Sequence, residues 1–274
     1  MKLNKKIMTA ACSLLAVFFP LAGSAHPESE DVGKIFQSGD LEQILTTANA
    51  ELQKNPDDEK LKKLTAEISK TMQREKMFAQ ESNPELLEKI AKTLRAFYYR
   101  HNLLKQAEKV DRTVYEKKPD NATALRLAET LLKEQKNREA ADLLASRTLT
   151  EKDRTVKLYA ALAFAKLGEA EKAGKYLEQM SFDSYTPREL LIYALANASL
   201  GNAEAAAAGV KKILENAPAK ETKKLREYFQ GADFAKVSSN QAFQAALTTE
   251  GKSGNTCAGC PSRGTSSCGG GSCH

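Results

Sequence analysis

Residues 187–218 read PRELLIYALANASLGNAEAAAAGVKKILENAP. Leu190, Tyr193 and Ala194 recur at helical spacing, and the pair Gly201-Asn202 interrupts them. A second amphipathic run then carries the small residue Ala206, and Pro218 closes it twelve residues later. Two helices of about 14 residues joined by a short turn fill such a stretch, and neither buries its apolar stripe alone. A small residue at a fixed place lets two helix backbones approach, and a proline after the second helix ends it.

The same pattern recurs upstream. The turns and small residues read N102-LLKQ-A107, N137-REA-A141, G168-EAEK-A173 and G201-NAEA-A206. The marker alanines are thus almost evenly spaced, close to the interval of about 34 residues that one helix pair occupies. Pro119 and Pro218 each follow their alanine by the same interval, and an earlier half-copy, G39-DLEQ-I44, is closed by Pro56. Units are expected at 88–119, 122–153, 154–186 and 187–218, with a capping helix at 222–237 whose Leu225, Tyr228, Phe229 and Phe234 face the last unit. Residues 58–80 read as one long helix through Leu61, Leu64, Ile68 and Met72. The composition is rich in Ala, Leu, Lys and Glu and lacks Trp, which favours helix throughout.

This pattern resembles the tetratricopeptide repeat (TPR) family over roughly residues 30–220. Leu94, Tyr98, Ala107, Val114 and Pro119 stand where that family places its large, small and proline marks, as do Leu190, Tyr193, Ala194, Ala206, Ile213 and Pro218. Two departures stand out: Glu129 at a position usually small, and Asp153 in place of a closing proline. The resemblance implies an all-α solenoid of stacked antiparallel helix pairs spanning 26–237. It also implies a concave groove lined by first-helix residues: Lys89, Lys92, Tyr99, Arg126, Lys133, Leu158, Leu162, Arg188, Leu191 and Leu195. Such a groove, basic at one end and apolar at the other, suits an extended acidic or amphipathic protein or peptide partner.

Lys2, Lys5 and Lys6 precede an apolar run from Ile7 to Leu21, and Gly23-Ser24-Ala25 supplies the small residues of a cleavage site. The run is shorter than a bilayer-spanning helix of about 20 residues. Residues 1–25 are therefore read as a signal peptide, and the mature chain as exported, periplasmic or secreted, and not membrane-bound. Its loss lowers the formal charge from +6 to +3, with both signs interspersed, which gives no argument for a nucleic-acid partner.

Residues 238–274 are expected to form a flexible linker and tail, apart from a short helix at Gln241–Leu247. Every cysteine after Cys12 lies within it: Cys257, Cys260, Cys268 and Cys273, followed by His274. Three chemistries fit. Export allows two local disulfides. Four thiolates and an imidazole offer a soft-metal set for copper or zinc. Cys268 to His274 also resembles a widened attachment sequence for covalent haem. With three histidines in the chain and no phosphate loop, catalytic constellations have little to be built from, so a non-enzymatic scaffold is expected.

Overall fold

A computed structural model describes Phe36 and residues 40–150, 153–178 and 185–251. Among the described residues there are twelve α-helices, one 3-10 turn and no β-strand, so the all-α class holds. The helices are α1 (Leu41–Lys54), α2 (Glu59–Gln80), α3 (Pro84–Arg100), α4 (Leu104–Lys117), α5 (Asn121–Lys133) and α6 (Asn137–Ala145). They continue as α7 (Arg154–Lys166), α8 (Ala170–Leu177), α9 (Pro187–Leu200), α10 (Ala203–Asn216), α11 (Ala219–Phe229) and α12 (Gln241–Leu247), with the 3-10 turn at Ala232–Phe234. From α1 to α10, helices adjacent in sequence pack on one another, and α7 also packs on α5 and α9.

Local chemistry sets the starts. The Asp58 carboxylate accepts from the backbone of Lys60 and Leu61 ahead of α2, and the Asn83 amide oxygen accepts from Glu85 and Leu86 ahead of α3. Asp120 with Thr123, and Thr186 with Glu189, form reciprocal capping boxes at α5 and α9. Pro84 and Pro187 open their helices where a missing N–H costs nothing.

The turns inside the pairs repeat with one constant period. The described residues with a left-handed backbone are Asn102, Gln135, Gly168 and Gly201, evenly spaced along the chain. Each is followed by the same long-range bond of the Schellman motif: Leu103 N–H to Tyr98 C=O, Lys136 to Leu131, Glu169 to Phe164 and Asn202 to Asn197. Five positions past each turn stands an alanine with no exposed surface: Ala107, Ala140, Ala173 and Ala206.

That register corrects the sequence reading in the second unit. Its marker is Ala140 rather than Ala141, its turn residue is Gln135 rather than Asn137, and it begins at 121. Ala128, fully buried, then holds the small first-helix position shared with Ala161 and Ala194. Glu129 lies one place beyond, in register with Ala96, Leu162 and Leu195. The residue out of pattern is Arg95, where the other three units have alanine.

The C-terminal boundary also moves. The capping segment is two pieces, because α11 ends at Phe229 and the chain turns at Gly231 into the 3-10 turn. Phe229 and Phe234 are fully buried, and Leu225 and Tyr228 pack against the same core. Residues 240–251 belong to the fold rather than to a linker. Helix α12 packs on α10 with Phe243 fully buried and its ring stacked 5.6 Å from Phe234. Arg226 Nη2 donates to Thr249 C=O at 2.8 Å. At Gly251 an added Cβ would stand 2.5 Å from Thr222 Cγ2 and 2.7 Å from Ala217 C=O. The long helix expected at 58–80 is α2, packed on both α1 and α3. The apolar core falls into two clusters, one drawn from residues 41–114 and the other from 127–247.

Candidate functional site

Between those two clusters lies a layer of buried polar side chains. Phe97 and Tyr98 of α3 face the core and Arg100 faces solvent, so the aromatic run leaves Tyr99 half-buried on the first-helix face. One turn earlier on that face is Arg95. Its Nη2 donates to Glu129 Oε2 of α5 at 2.6 Å and to the Tyr99 hydroxyl at 3.2 Å. Its Nε lies 3.4 Å from Asp111 Oδ2 of α4. Thr130 Oγ1 donates to the same Asp111 oxygen and shares a 2.6 Å hydrogen bond with the Tyr99 hydroxyl. From α9, Arg188 pairs with Glu129 Oε1. The Arg188 Nη2 and Nε also donate to the Tyr159 hydroxyl of α7, at 3.1 and 3.3 Å. Lys133, at the end of α5, holds its ammonium 4.6 Å from the Tyr99 ring centre, and the Arg95 guanidinium lies 5.0 Å from it.

Enclosure shapes the titration of the cluster. Burial pushes the Lys133 amine down to about 8, with the Arg95 charge acting the same way. Burial also lowers Arg188, again helped by Arg95. It raises the Tyr99 hydroxyl, partly opposed by Arg95, and raises the Asp111 carboxyl against the pull of Arg95 and Thr130. For Arg95 itself burial pulls downward, but the attraction of Asp111 and Tyr99 outweighs it and the net direction is upward.

The expected groove residues divide into four groups. Tyr99, Lys133 and Arg188 converge on this cluster. Arg126 stands beside it, with its C=O 3.5 Å from Arg95 Nη2 and its own Nη2 2.5 Å from Glu88 Oε1. Lys89 and Lys92 are exposed on α3. Leu158, Leu162, Leu191 and Leu195 are no groove surface at all, being 0%, 4%, 7% and 5% exposed in the second core cluster. The cause is legible in α7 and α9, whose sequences are apolar around their whole circumference, as helices covered on all sides are. The C-terminal segment meets the ends of both helices, with Lys166 Nζ 3.2 Å from Asp233 Oδ1 and Lys236 Nζ donating to Ser199 C=O at 2.7 Å. The expected groove positions are thus basic and aromatic on α3 and α5, and the leucines on α7 and α9 are buried.

Sequence reasoning missed Arg95, Asp111 and Tyr159. The signal that exposes the first two is the repeat register fixed by the left-handed turns. Asp111 takes the place held by Leu144, Leu177 and Val210 in the other units, as Arg95 takes that of three alanines.

Cys257, Cys260, Cys268, Cys273 and His274 lie outside the described residues, as does the signal segment 1–25. Among the described residues no group of three or more His, Cys, Asp or Glu side chains could hold a metal ion. No described helix is long and apolar enough to cross a membrane. Searches found no matching family model, and no curated protein or solved structure with a significant match.

Proposed function

We propose that the chain is an exported, TPR-like α-solenoid that acts as a non-enzymatic scaffold for a protein partner. An acidic, extended segment of that partner would lie along the first helices, over Lys89, Lys92, Tyr99 and Lys133. The observation that carries this reading is the strictly periodic recurrence of the left-handed turn residue, its Schellman bond and the buried alanine. Helix pairs in such register stack with their first helices side by side, which generates one continuous face. The cations and the Tyr99 ring gathered there favour carboxylate-bearing side chains over neutral ones. A fluorescein-labelled acidic peptide titrated into the full chain tests it. Saturable binding is expected, weakened several-fold by Lys89→Glu with Lys92→Glu while the melting temperature holds. Equal binding by that double variant rejects this surface.

A second reading concerns the tail. The confinement of Cys257, Cys260, Cys268 and Cys273 to the C-terminal end, beside a terminal histidine, favours a role in soft-metal handling with copper or zinc. Protein purified under reducing conditions should then hold metal in a fixed ratio, lost when all four cysteines become serine. A mass four units below the reduced value, with no metal bound after reduction, would establish two disulfides instead. Absorbance near 400 nm decides the haem alternative.

A further inference from the structure

Three positions that the repeat register assigns to small or apolar side chains carry charge, and all three meet. Arg95 stands in register with Ala128, Ala161 and Ala194, Asp111 with Leu144, Leu177 and Val210, and Glu129 with Ala96, Leu162 and Leu195. Arg95 touches both carboxylates, and the Arg188–Glu129 pair reaches from α9 to α5 across α7. Stability alone accounts poorly for this. Exchanging a buried ion pair for apolar residues of similar volume is often neutral or stabilising, and the neighbouring units show the apolar solution in the same fold.

The two carboxylates are both buried but differ in their partners. Asp111 is 3% exposed and is fixed by Thr130 Oγ1 as well as by Arg95. Glu129 bridges Arg95 and Arg188, and its second cation belongs to a side chain 36% exposed at the surface. If Glu129 leaves, Arg95 keeps Asp111 and Arg188 keeps the Tyr159 hydroxyl. Three cations, Arg95, Arg188 and Lys133, surround two carboxylates, so the cluster carries one positive charge in excess when Lys133 is protonated.

We propose that Glu129 is a built-in, displaceable occupant of a carboxylate subsite, so that an acidic side chain of the partner engages Arg188 and Arg95 only by driving Glu129 out. This rests on the docking reading given above and adds an autoinhibitory contact to it. The free chain is then closed at this point, and its apparent affinity for an acidic partner is reduced by the fraction of molecules in which Glu129 is displaced.

Two variants of the full chain test the proposal. Glu129→Ala empties the subsite, and Glu129→Gln removes the charge while keeping the volume. Sodium formate should raise the melting temperature of Glu129→Ala saturably and beyond sodium chloride at equal ionic strength. It should do neither for wild type, whose own carboxylate fills the subsite. Absence of that formate-specific gain in a folded Glu129→Ala protein overturns the subsite. If the alanine variant does not fold, Glu129→Gln decides through binding of labelled hexaglutamate. With about a tenth of wild-type molecules displaced at rest, it should bind about tenfold more tightly than wild type. Equal or weaker binding overturns the displacement. Formate rescue together with no hexaglutamate binding by any form would support the subsite and reject the docking reading.

Discussion

Replacing Phe243 by alanine tests where the folded domain ends. The ring has no exposed surface, stacks 5.6 Å from Phe234, and lies in the same core cluster as Phe229, Val237 and Leu214. Phe→Ala in such a site removes the transfer energy of the ring and leaves a cavity, together about 3 to 5 kcal/mol. In a domain of this size each kcal/mol moves the melting temperature by about 2 to 4 °C, so the midpoint should fall by about 6 to 20 °C. The control is a chain ending at Gly251. It keeps α12, the Arg226–Thr249 contact and the close packing of Gly251, so its melt should lie within about 0.5 kcal/mol of the full chain. Circular dichroism of the helical signal, read at equal protein concentration, follows both. The reasoning fails if Phe243→Ala melts with wild type, or if ending the chain at Gly251 costs as much as losing the ring.

Gly251→Ala should destabilise by about 1 to 3 kcal/mol, because its Cβ would overlap Thr222 Cγ2 and the Ala217 carbonyl and force the segment after α12 off α11. A melt unchanged by that substitution would mean the segment is not seated there. His101 caps α3, stacks on Phe36 at 4.2 Å and meets Phe97 at 4.6 Å, and burial pulls its imidazole down to about 4 from 6.5. The unfolded chain therefore takes up this proton at a higher pH than the native one, so stability is full above about 6.5 and falls as pH drops towards 4. His101→Phe should flatten that part of the stability profile. Persistence of the slope in the variant assigns it to other groups.

The helix pairs are legible in the sequence because their periodicity and turns are local properties of the chain. Proline and alanine spacing locates three of the four units, and the fourth slips by one place. Gln135 adopts the left-handed turn without the glycine or asparagine that signals it elsewhere, and the adjacent Ala140 and Ala141 are interchangeable by eye. The sequence also suggests the short helix 241–247, but the place of α12 in the core is hard to read for a related reason. The helix is too short to show a period, and Ser and Asn precede it, so only its tertiary contacts reveal Phe243 as core. The groove is half legible. Exposure of Lys89 and Lys92 follows from a single amphipathic helix, whereas burial of Leu158 and Leu195 depends on how α7 and α9 pack against their neighbours. Arg95 looks like an ordinary surface charge for the same reason, and Glu129, which does stand out from the repeat, gives no sign of its partners, since its pairing with Arg188 joins α5 to α9.

The central claim is that an acidic partner segment docks on the face made by the first helices. A photoreactive amino acid placed at Ala96, exposed on α3 between Lys92 and Tyr99, can be compared with one at Lys109, exposed on the second helix of the same pair. Irradiation with a labelled acidic peptide at low ionic strength should yield a covalent adduct from position 96, competed by unlabelled peptide, and none from position 109. Equal adducts from both positions, or an adduct from position 109 alone, would contradict the account.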